Sequence, residues 1–493
     1  MLTVRPKTFR KLSPVVFSWE VRVHLAITFA VACSLVVADP RTTLIVGGIL
    51  CLSSYTYLAI REARKAPLWL SPLSFYFFWY TIGMGISPLY LAATSTADSY
   101  VRFASPGSMV RLDHLAVGYV VFLFGSFALH FGIQLFRPKA EAVFDVAYRP
   151  RLLGWFVVVW MVGVLFQLSP ASFSFLGAAT KIFSVAVVGS VCGFAITPRE
   201  RFGLSRPVFL VLLVVGTAGL FFGNLASISK AYIMFSFLPI TWFFIIRPKL
   251  RLWIPPIALG LAVFYLALVA PVVYTARQNP IQEGESPRDH LIETFETWRK
   301  DRPGEIDQSF FANQLSQFVS RQFDAVPVGY IVGEVKNTGM LAGETMQYAS
   351  YAFIPRVLWP DKPTVTRGTW FSTYLGAFRD EDEATTSIGM TAIGELYWNF
   401  GLGGVVIGML AIGCFIGVLW RMAGADPRAK PMHMLLYVSL MLGMSDMPEA
   451  ITVLVSLVVL FLTFKAVFVA QKSLDRRRKR LRLSAAYPQR ASL

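Results

Sequence analysis

Residues 21–38 are VRVHLAITFAVACSLVVA, an almost uninterrupted apolar stretch that follows a basic and polar N-terminal arm. An apolar run of about 18 residues or more can cross the roughly 30 Å hydrocarbon layer of a bilayer as a helix. Because further runs of the same kind follow it, this stretch is predicted to be a retained first membrane helix rather than a cleaved signal.

The same apolar pattern recurs along the whole chain. The sequence is 55% hydrophobic and only 15% charged, whereas soluble proteins carry about 25% charged residues. We therefore predict an all-α polytopic integral membrane protein with about 12 transmembrane helices. The apolar runs lie at 21–38, 42–60, 68–93, 114–136, 151–169, 174–196, 206–223, 228–246, 251–275, 398–420, 431–446 and 450–470.

The basic residues indicate the orientation of these helices. Every even-numbered connection is basic, the N-terminal arm is basic, and the tail contains RRRKR at 476–480. Because Lys and Arg concentrate on the cytoplasmic side of membrane proteins, both termini are predicted to be cytoplasmic. The same rule accounts for the net charge of +17 without nucleic-acid binding.

The ninth connection, 276–386, lies on the opposite side and is far longer than a connector needs to be, which favours a functional role. Apolar spacing at 288–300 and 308–324 predicts two amphipathic helices, with prolines such as Pro327 as breakers. We thus expect a large, mostly helical extracytoplasmic loop between helices 9 and 10. The predicted organisation is a nine-helix bundle (1–275), the loop (276–386), a short outer helix (387–397) with the last three membrane helices (to 470), and a basic tail (471–493).

The predicted outer side carries spaced cations and one stiff segment. Three prolines in FIPRVLWPDKP (353–363) restrict the backbone, and Trp359 supplies an anchor. A rigidly held guanidinium such as that of Arg356 suits the bidentate binding of phosphate oxygens. The alternative is that Asp361 pairs with a neighbouring cation and closes the loop. The candidate cations are Arg277, Arg321, Arg356, Lys362 and Arg367, with Lys230 at the outer end of the eighth run.

Glu395, in IGELYWNFG (393–401), is the candidate general base. It lies beside apolar residues at the predicted membrane edge, where loss of water makes a carboxylate a stronger base. A salt bridge to one of the arginines is the alternative role. Asp446 and Glu449 fall in the turn between the last two runs, where solvated acids are the expectation and pairing with a membrane lysine is the alternative. The four cysteines all fall in apolar runs, so neither a disulfide nor a cysteine metal site is expected.

Several of these segments resemble the O-antigen polymerase (Wzy-type) family of oligosaccharide repeat-unit polymerases. The resemblance extends over most of the chain in topology. In motif it is carried by NLASISKA (224–231), Arg321 in SRQFD, GETMQYASYAFIPRVLWPDKP (343–363) and IGMTAIGELYWNFGLGG (388–404).

The resemblance implies a glycosyltransferase of the bacterial inner membrane that polymerises undecaprenyl-pyrophosphate-linked repeat units into a surface polysaccharide, either O-antigen or exopolysaccharide. The donor and the acceptor would both be lipid-linked oligosaccharides, with no metal or other cofactor, and a chain-length regulator and a flippase would be further partners. Glu395 would take the acceptor proton, and Arg356 would stabilise the leaving pyrophosphate. Arg277, Arg321, Lys362, Arg367 and Lys230 would bind pyrophosphate, while Trp359, Trp370 and Tyr397 would stack on sugars.

Two other functions fit parts of the sequence. An O-antigen ligase, which transfers finished glycan to lipid A-core, shares the twelve-helix plan and the cationic loop. A lipid-linked oligosaccharide flippase would be expected to have symmetric halves with helices broken at corresponding positions. Here the one very long loop occurs late in the chain and has no early counterpart.

Overall fold

The computed structural model is almost entirely helical. It describes residues 18–66, 69, 71–94, 100–102, 109–138, 151–168, 179–226, 230–269, 272, 275, 292–297, 315–316, 318–319, 322–352, 354, 358–359, 367–376, 388–426, 431–444 and 447–486. Within these ranges two short strands, β1 (Tyr100–Arg102) and β2 (Met109–Arg111), form an antiparallel hairpin that the sequence did not predict.

The helices are α1 (Trp19–Val37), α2 (Pro40–Lys65), α3 (Pro72–Thr81), α4 (Ser87–Thr94), α5 (Leu112–Phe136), α6 (Arg151–Leu168), α7 (Ala179–Ile196), α8 (Arg206–Ala226), α9 (Lys230–Phe235), α10 (Leu238–Ile245), α11 (Ile254–Phe264), α12 (Ala325–Thr338), α13 (Ala349–Ala352), α14 (Arg367–Tyr374), α15 (Ala392–Ala423), α16 (Pro431–Gly443) and α17 (Ala450–Ala486).

Polar caps between apolar runs explain where several helices begin. The Asp39 carboxylate accepts hydrogen bonds from the main-chain N–H groups of Arg41 and Thr42, at 2.9 and 3.1 Å. Ser71 and Ser74 form a reciprocal capping box at the start of α3. A proline follows each of these caps, at the one helical position where a missing N–H costs nothing.

Among the described residues, six helices are long and apolar enough to cross a membrane: α1, α2, α5, α8, α15 and the Ala450–Ala470 part of α17. Shorter apolar helices occur at Leu152–Leu165, Ala186–Ile196, Ile233–Ile245 and His433–Gly443. This composition supports the prediction of a multi-pass, all-helical membrane protein.

Some predicted runs form interrupted helices. The third run consists of α3, a π-helical turn at Ile82–Ile86, and α4, while the ninth contains α11 and a second π-helical turn at Tyr265–Val269. In the first π turn, a Cβ added at Gly83 would lie 2.3 Å from the Gln322 carbonyl oxygen. The absence of a side chain at Gly83 therefore lets another part of the chain approach the π turn closely.

α12 was not predicted from the sequence. Of the two amphipathic helices expected before it, residues 292–297 are helical, and most of the rest lies outside the described residues. Pro327, taken as a breaker, instead lies in the first turn of α12, where proline is tolerated. The helix packs against α5 and α15, and a Cβ at Gly118 would lie 2.5 Å from the Gly329 nitrogen.

Helices α5 and α15 pack closely against each other in the core. A Cβ at Gly132 would lie 2.4 Å from the Leu410 carbonyl oxygen, and one at Gly413 would lie 2.3 Å from the Leu129 carbonyl oxygen. Small residues of this kind let two membrane helices approach backbone to backbone, which increases their dispersion contact.

α15 begins five residues after the predicted start of the outer helix at 387 and continues to Ala423. Its backbone is non-helical at Gly401, with φ 62° and ψ −160°. Gly401 lies in the glycine-rich stretch NFGLGG (399–404), where the sequence predicts a break after the short outer helix. Glycine is the residue that adopts these angles without steric cost. The kink separates the first turns of α15, which carry Glu395, from the long apolar part of the helix.

Candidate active site

The first turn of α15 holds the candidate base. The Thr391 side-chain oxygen accepts a hydrogen bond from the Gly394 N–H at 3.1 Å and caps the helix. Thr391 itself has φ 64°, a left-handed conformation that a β-branched residue seldom adopts. The Ala392 N–H donates to the Met447 carbonyl at 3.2 Å and joins this turn to the segment before α17. The position of Glu395 is therefore fixed from two sides.

Glu395 is fully buried, and a hydrogen-bonded network holds it. The Thr345 hydroxyl donates to Glu395 Oε1 at 3.4 Å, and Asn399 Nδ2 donates to Thr345 Oγ1 at 2.6 Å. Asn399, one turn further along α15, also accepts a hydrogen bond from the Gly343 N–H at 2.9 Å. Asn399 thus fastens residues 343–345 onto α15, and this segment presents the hydroxyl to the carboxyl group.

A second carboxyl group belongs to the same site. Glu449, immediately before α17, is 5% exposed and interacts electrostatically with Glu395. The expectation of a solvated turn acid was therefore wrong for Glu449. Glu395 Oε2 has no hydrogen bond of standard geometry, although the N–H groups of Ala450 and Ile451 in the first turn of α17 interact with the carboxylate.

Arg367, the first residue of α14, supplies a cation to the site. It interacts electrostatically with both Glu395 and Tyr348. Its guanidinium carbon lies 4.8 Å from the centroid of the Tyr348 ring and 5.3 Å from that of the Trp370 ring. The buried Nε of Arg367 makes no hydrogen bond among the described residues. This N–H group can therefore donate a hydrogen bond to an oxygen of a bound molecule.

Tyr348 completes the polar side of the site. It is 3% exposed, and its hydroxyl interacts with Thr452 in the first turn of α17. Burial and the nearby Glu395 carboxylate raise the pKa of Tyr348, so that its hydroxyl stays protonated at physiological pH. A protonated phenol beside a carboxylate and a guanidinium can donate a hydrogen bond to an oxygen of a bound molecule.

An aromatic cluster adjoins Arg367. The Trp370 ring stacks on Tyr374 with centroids 5.6 Å apart and lies 6.1 Å from the Trp398 ring, and Phe371 lies 6.2 Å from Trp398. Trp370, predicted to stack on sugars, thus already shares its faces with Tyr374 and the Arg367 guanidinium. Tyr397 is partly buried against this same cluster.

The structure places the other predicted site residues as follows. Trp359 is 38% exposed and packs edge-on against Tyr351, with ring centroids 6.2 Å apart. Lys230 is the first residue of α9, and its side chain is outside the described set. Arg277, Arg321, Arg356 and Lys362 lie outside the described residues. Of the predicted residues, the structure brings together Glu395 and Arg367, with Trp370 beside Arg367.

Four further site residues were not predicted: Thr345, Tyr348, Asn399 and Glu449. Thr345, Tyr348 and Asn399 lie inside two of the segments that carry the family resemblance, 343–363 and 388–404. Asn399 follows Glu395 at i+4, so the two share one face of a helix, and this spacing was a usable signal. Nothing local in the sequence separates Glu449 from an ordinary turn acid.

These features define a polytopic helical membrane protein with a buried carboxyl pair beside a fixed cation. No family model, curated protein or solved structure matches this chain. Among the described residues, no group of three or more His, Cys, Asp and Glu side chains could hold a metal ion. The roles of the site residues are therefore argued from their own chemistry.

Proposed function

We propose that this protein is a membrane glycosyltransferase that polymerises undecaprenyl-pyrophosphate-linked oligosaccharide repeat units into a surface polysaccharide. The observation that supports the proposal most is the buried Glu395 carboxyl in the same site as the Arg367 guanidinium. Glycosyl transfer from a pyrophosphate carrier requires a base for the acceptor hydroxyl and a cation for the leaving group. This pair supplies both.

In this proposal all twelve apolar runs cross the bacterial inner membrane and both termini are cytoplasmic. The first turn of α15 then faces the outer side, together with residues 276–386. The basic even-numbered connections support this orientation. Lipid-linked donor and acceptor would reach the site from the outer leaflet.

The proposed reaction is a single displacement at the anomeric carbon of the donor. The acceptor hydroxyl oxygen forms a bond to that carbon, and the bond between the carbon and the pyrophosphate oxygen breaks with its electron pair staying on the pyrophosphate. The hydroxyl proton passes to the Glu395 carboxylate and from there to water. Arg367 stabilises the charge that develops on the pyrophosphate, because a preorganised cation needs no reorganisation as the bond breaks.

Other residues have proposed roles in binding. The cations Arg277, Arg321, Arg356, Lys362 and Lys230 add positive charge for two pyrophosphate groups, and Arg356 is the second catalytic cation. Trp359, Trp370 and Tyr397 contact sugars. The Tyr348 hydroxyl donates a hydrogen bond to a substrate oxygen. The Glu449 carboxylate strengthens Glu395 as a proton acceptor, because a like charge nearby disfavours a second negative charge.

A deletion strain tests the proposal, with gel analysis of surface glycan and of lipid-linked intermediates. The expected result is a lipid A-core carrying at most one repeat unit, with long chains restored by the wild-type gene. Loss of all repeats with accumulation of lipid-linked polymer would replace the proposal by a ligase. Accumulation of single units on the cytoplasmic leaflet would replace it by a flippase.

A further inference from the structure

A buried chain of polar side chains links four helices, away from the site of Glu395. His24 of α1 lies 3.2 Å from His130 of α5, between their Nδ1 atoms, and its Nε2 lies 2.9 Å from the Tyr55 hydroxyl of α2. The Ser126 hydroxyl of α5 lies 3.1 Å from that of Tyr55 and 2.6 Å from that of Tyr76 in α3. All five side chains are buried, and both histidines and Ser126 are fully so.

Charged side chains lie beyond both ends of this hydrogen-bonded chain. Beyond His130, its Nε2 lies 3.2 Å from the Gln134 amide. One turn further, Arg137 pairs with the buried Glu62 at 2.7 Å, within an ion-pair network that also joins Glu20 to Arg61 and to Lys65. At the other end, Tyr76 interacts electrostatically with Asp324, which precedes α12.

Every link of this chain can be made in two opposite directions. In one direction His130 Nδ1–H donates to His24 Nδ1, His24 Nε2–H donates to Tyr55, Tyr55 to Ser126, and Ser126 to Tyr76. In the other, each hydroxyl donates toward the histidines and His24 Nδ1–H donates to His130. A hydroxyl can both donate and accept a hydrogen bond, and a neutral imidazole donates through one nitrogen and accepts through the other, so both directions satisfy the hydroxyls and the contact between the two histidines. In the second direction His130 Nε2 carries the hydrogen, and the Gln134 amide turns its oxygen toward it. Proton transfer along such a chain requires that its hydrogen bonds can form in both orientations.

We propose that this chain conducts protons between the ion-paired end of the bundle and Asp324, and that the protein therefore moves protons across the membrane. A proton that arrives on His130 Nε2 releases the Nδ1 proton to His24 Nδ1. His24 then releases its Nε2 proton to Tyr55, which passes its own to Ser126, and Ser126 passes its own to Tyr76. Tyr76 releases one proton toward Asp324, so one proton enters, one leaves, and each link has reversed its direction.

A purely structural role would not need this arrangement. Ionisable side chains inside membrane helices are costly, and by default they indicate a functional pathway such as a proton relay. A single hydroxyl pair would join these helices at lower cost than two buried imidazoles in direct contact. The continuous order from Gln134 to Tyr76, with charged groups beyond both ends, favours transfer. This inference does not depend on the proposed glycosyltransferase activity.

Proton flux into liposomes tests the inference. The purified full-length protein is reconstituted with the pH dye pyranine trapped inside, and valinomycin with potassium on both sides removes any membrane potential. After an external acid pulse, vesicles with the wild-type protein are expected to acidify several-fold faster than protein-free vesicles. The Tyr55 hydroxyl can be bypassed, because His24 Nε2 also lies 3.4 Å from Ser126 Oγ. Ser126→Ala and Tyr76→Phe each remove an oxygen without such a bypass, and each should return the rate to the protein-free value.

Matched control variants remove the same oxygen elsewhere. Ser53→Ala, at an exposed position of α2, and Tyr90→Phe, at a half-buried position of α4, should keep the wild-type rate. Each variant is used only if it elutes from size exclusion as the wild type does, and if one chain variant fails to fold the other decides. A wild-type rate equal to that of protein-free vesicles, or wild-type rates in both chain variants, would overturn the proposal.

Discussion

At the scale of single residues, Asn399 is the side chain that organises the candidate site. Its amide donates to Thr345 and to the Glu395 main-chain carbonyl at 2.7 Å, and it accepts from Gly343. The Thr345 hydroxyl can therefore direct its own proton to Glu395. The carboxyl group is held in one orientation before any substrate arrives, which is a requirement for efficient proton transfer.

Glu395→Gln is expected to abolish long glycan chains. The substitution keeps the size of the side chain and its hydrogen bond to Thr345 but removes the proton acceptor. Losses of about 10²–10⁴-fold are typical when a general base is removed, and the rate would be measured with purified lipid-linked repeat units. The matched control is Glu344→Gln at the exposed position beside Thr345. Full activity of Glu395→Gln at normal protein levels would exclude Glu395 as the base.

Arg367→Ala should reduce the turnover rate more than the apparent affinity for the donor, because the cation acts mainly on the charge that develops in the transition state. Arg367→Lys should restore only part of the rate, since an ammonium group lacks the planar fork of donors. Lys336→Ala, at an exposed position near the end of α12, is the control for loss of a positive charge. Equal activity of Arg367→Ala and the control would contradict the proposed role.

Of the predicted site residues, Glu395, Arg367 and Trp370 lie together in the candidate site, but most of their partners there were not predicted. These three were chosen because each residue type suits a role in the proposed chemistry. Thr345 was not, because its contact with Glu395 joins residues 50 positions apart and depends on how the chain folds back. The burial of Glu449 depends likewise on the packing of α15 against the start of α17, which no local pattern encodes.

At the scale of elements, the apolar runs predicted where helices form but not the π-helical turns that interrupt two of them. A hydrophobic run indicates the same span whether its backbone is α-helical throughout or contains a π turn, because both bury the same side chains. α12 was missed because it lies in a loop and contains proline and glycine, which argue against a helix when taken alone. Its helical state is supported by tertiary contacts with α5 and α15.

Gly413→Ala is expected to destabilise the protein. The new methyl group would lie 2.3 Å from the Leu129 carbonyl oxygen, so α5 and α15 would have to separate. Overpacking of this kind costs about 1–3 kcal/mol, and thermal unfolding in detergent would measure it. Gly403→Ala in the same helix meets nothing within 4 Å and should be neutral or stabilising. An unchanged melting temperature for Gly413→Ala would show that the two helices are not in close contact.

At the scale of the whole molecule, reporter fusions check the proposed topology. Alkaline phosphatase needs disulfides and is active only outside the cytoplasm. It is expected to be active when fused after Thr338 and inactive when fused after Arg137, while a green fluorescent protein fused to the C-terminus should fluoresce. The opposite pattern of phosphatase activity would mean that the twelve runs do not all cross the membrane in the proposed order.

The placement of α12 has a consequence for how the protein can diversify. α12 packs against both α5 and α15, so it anchors the long connection 276–386 near its middle. The connection is thereby divided into a half before α12 and a half after it. Gly343, Thr345, Tyr348 and Arg367 all belong to the second half, which leads directly to Glu395. In the proposed function the first half, 276–321, contributes Arg277 and Arg321 to binding, and the second half contributes the residues next to Glu395. Because α12 separates the two halves, an insertion in the first half is expected to leave Thr345, Tyr348 and Arg367 in place beside Glu395.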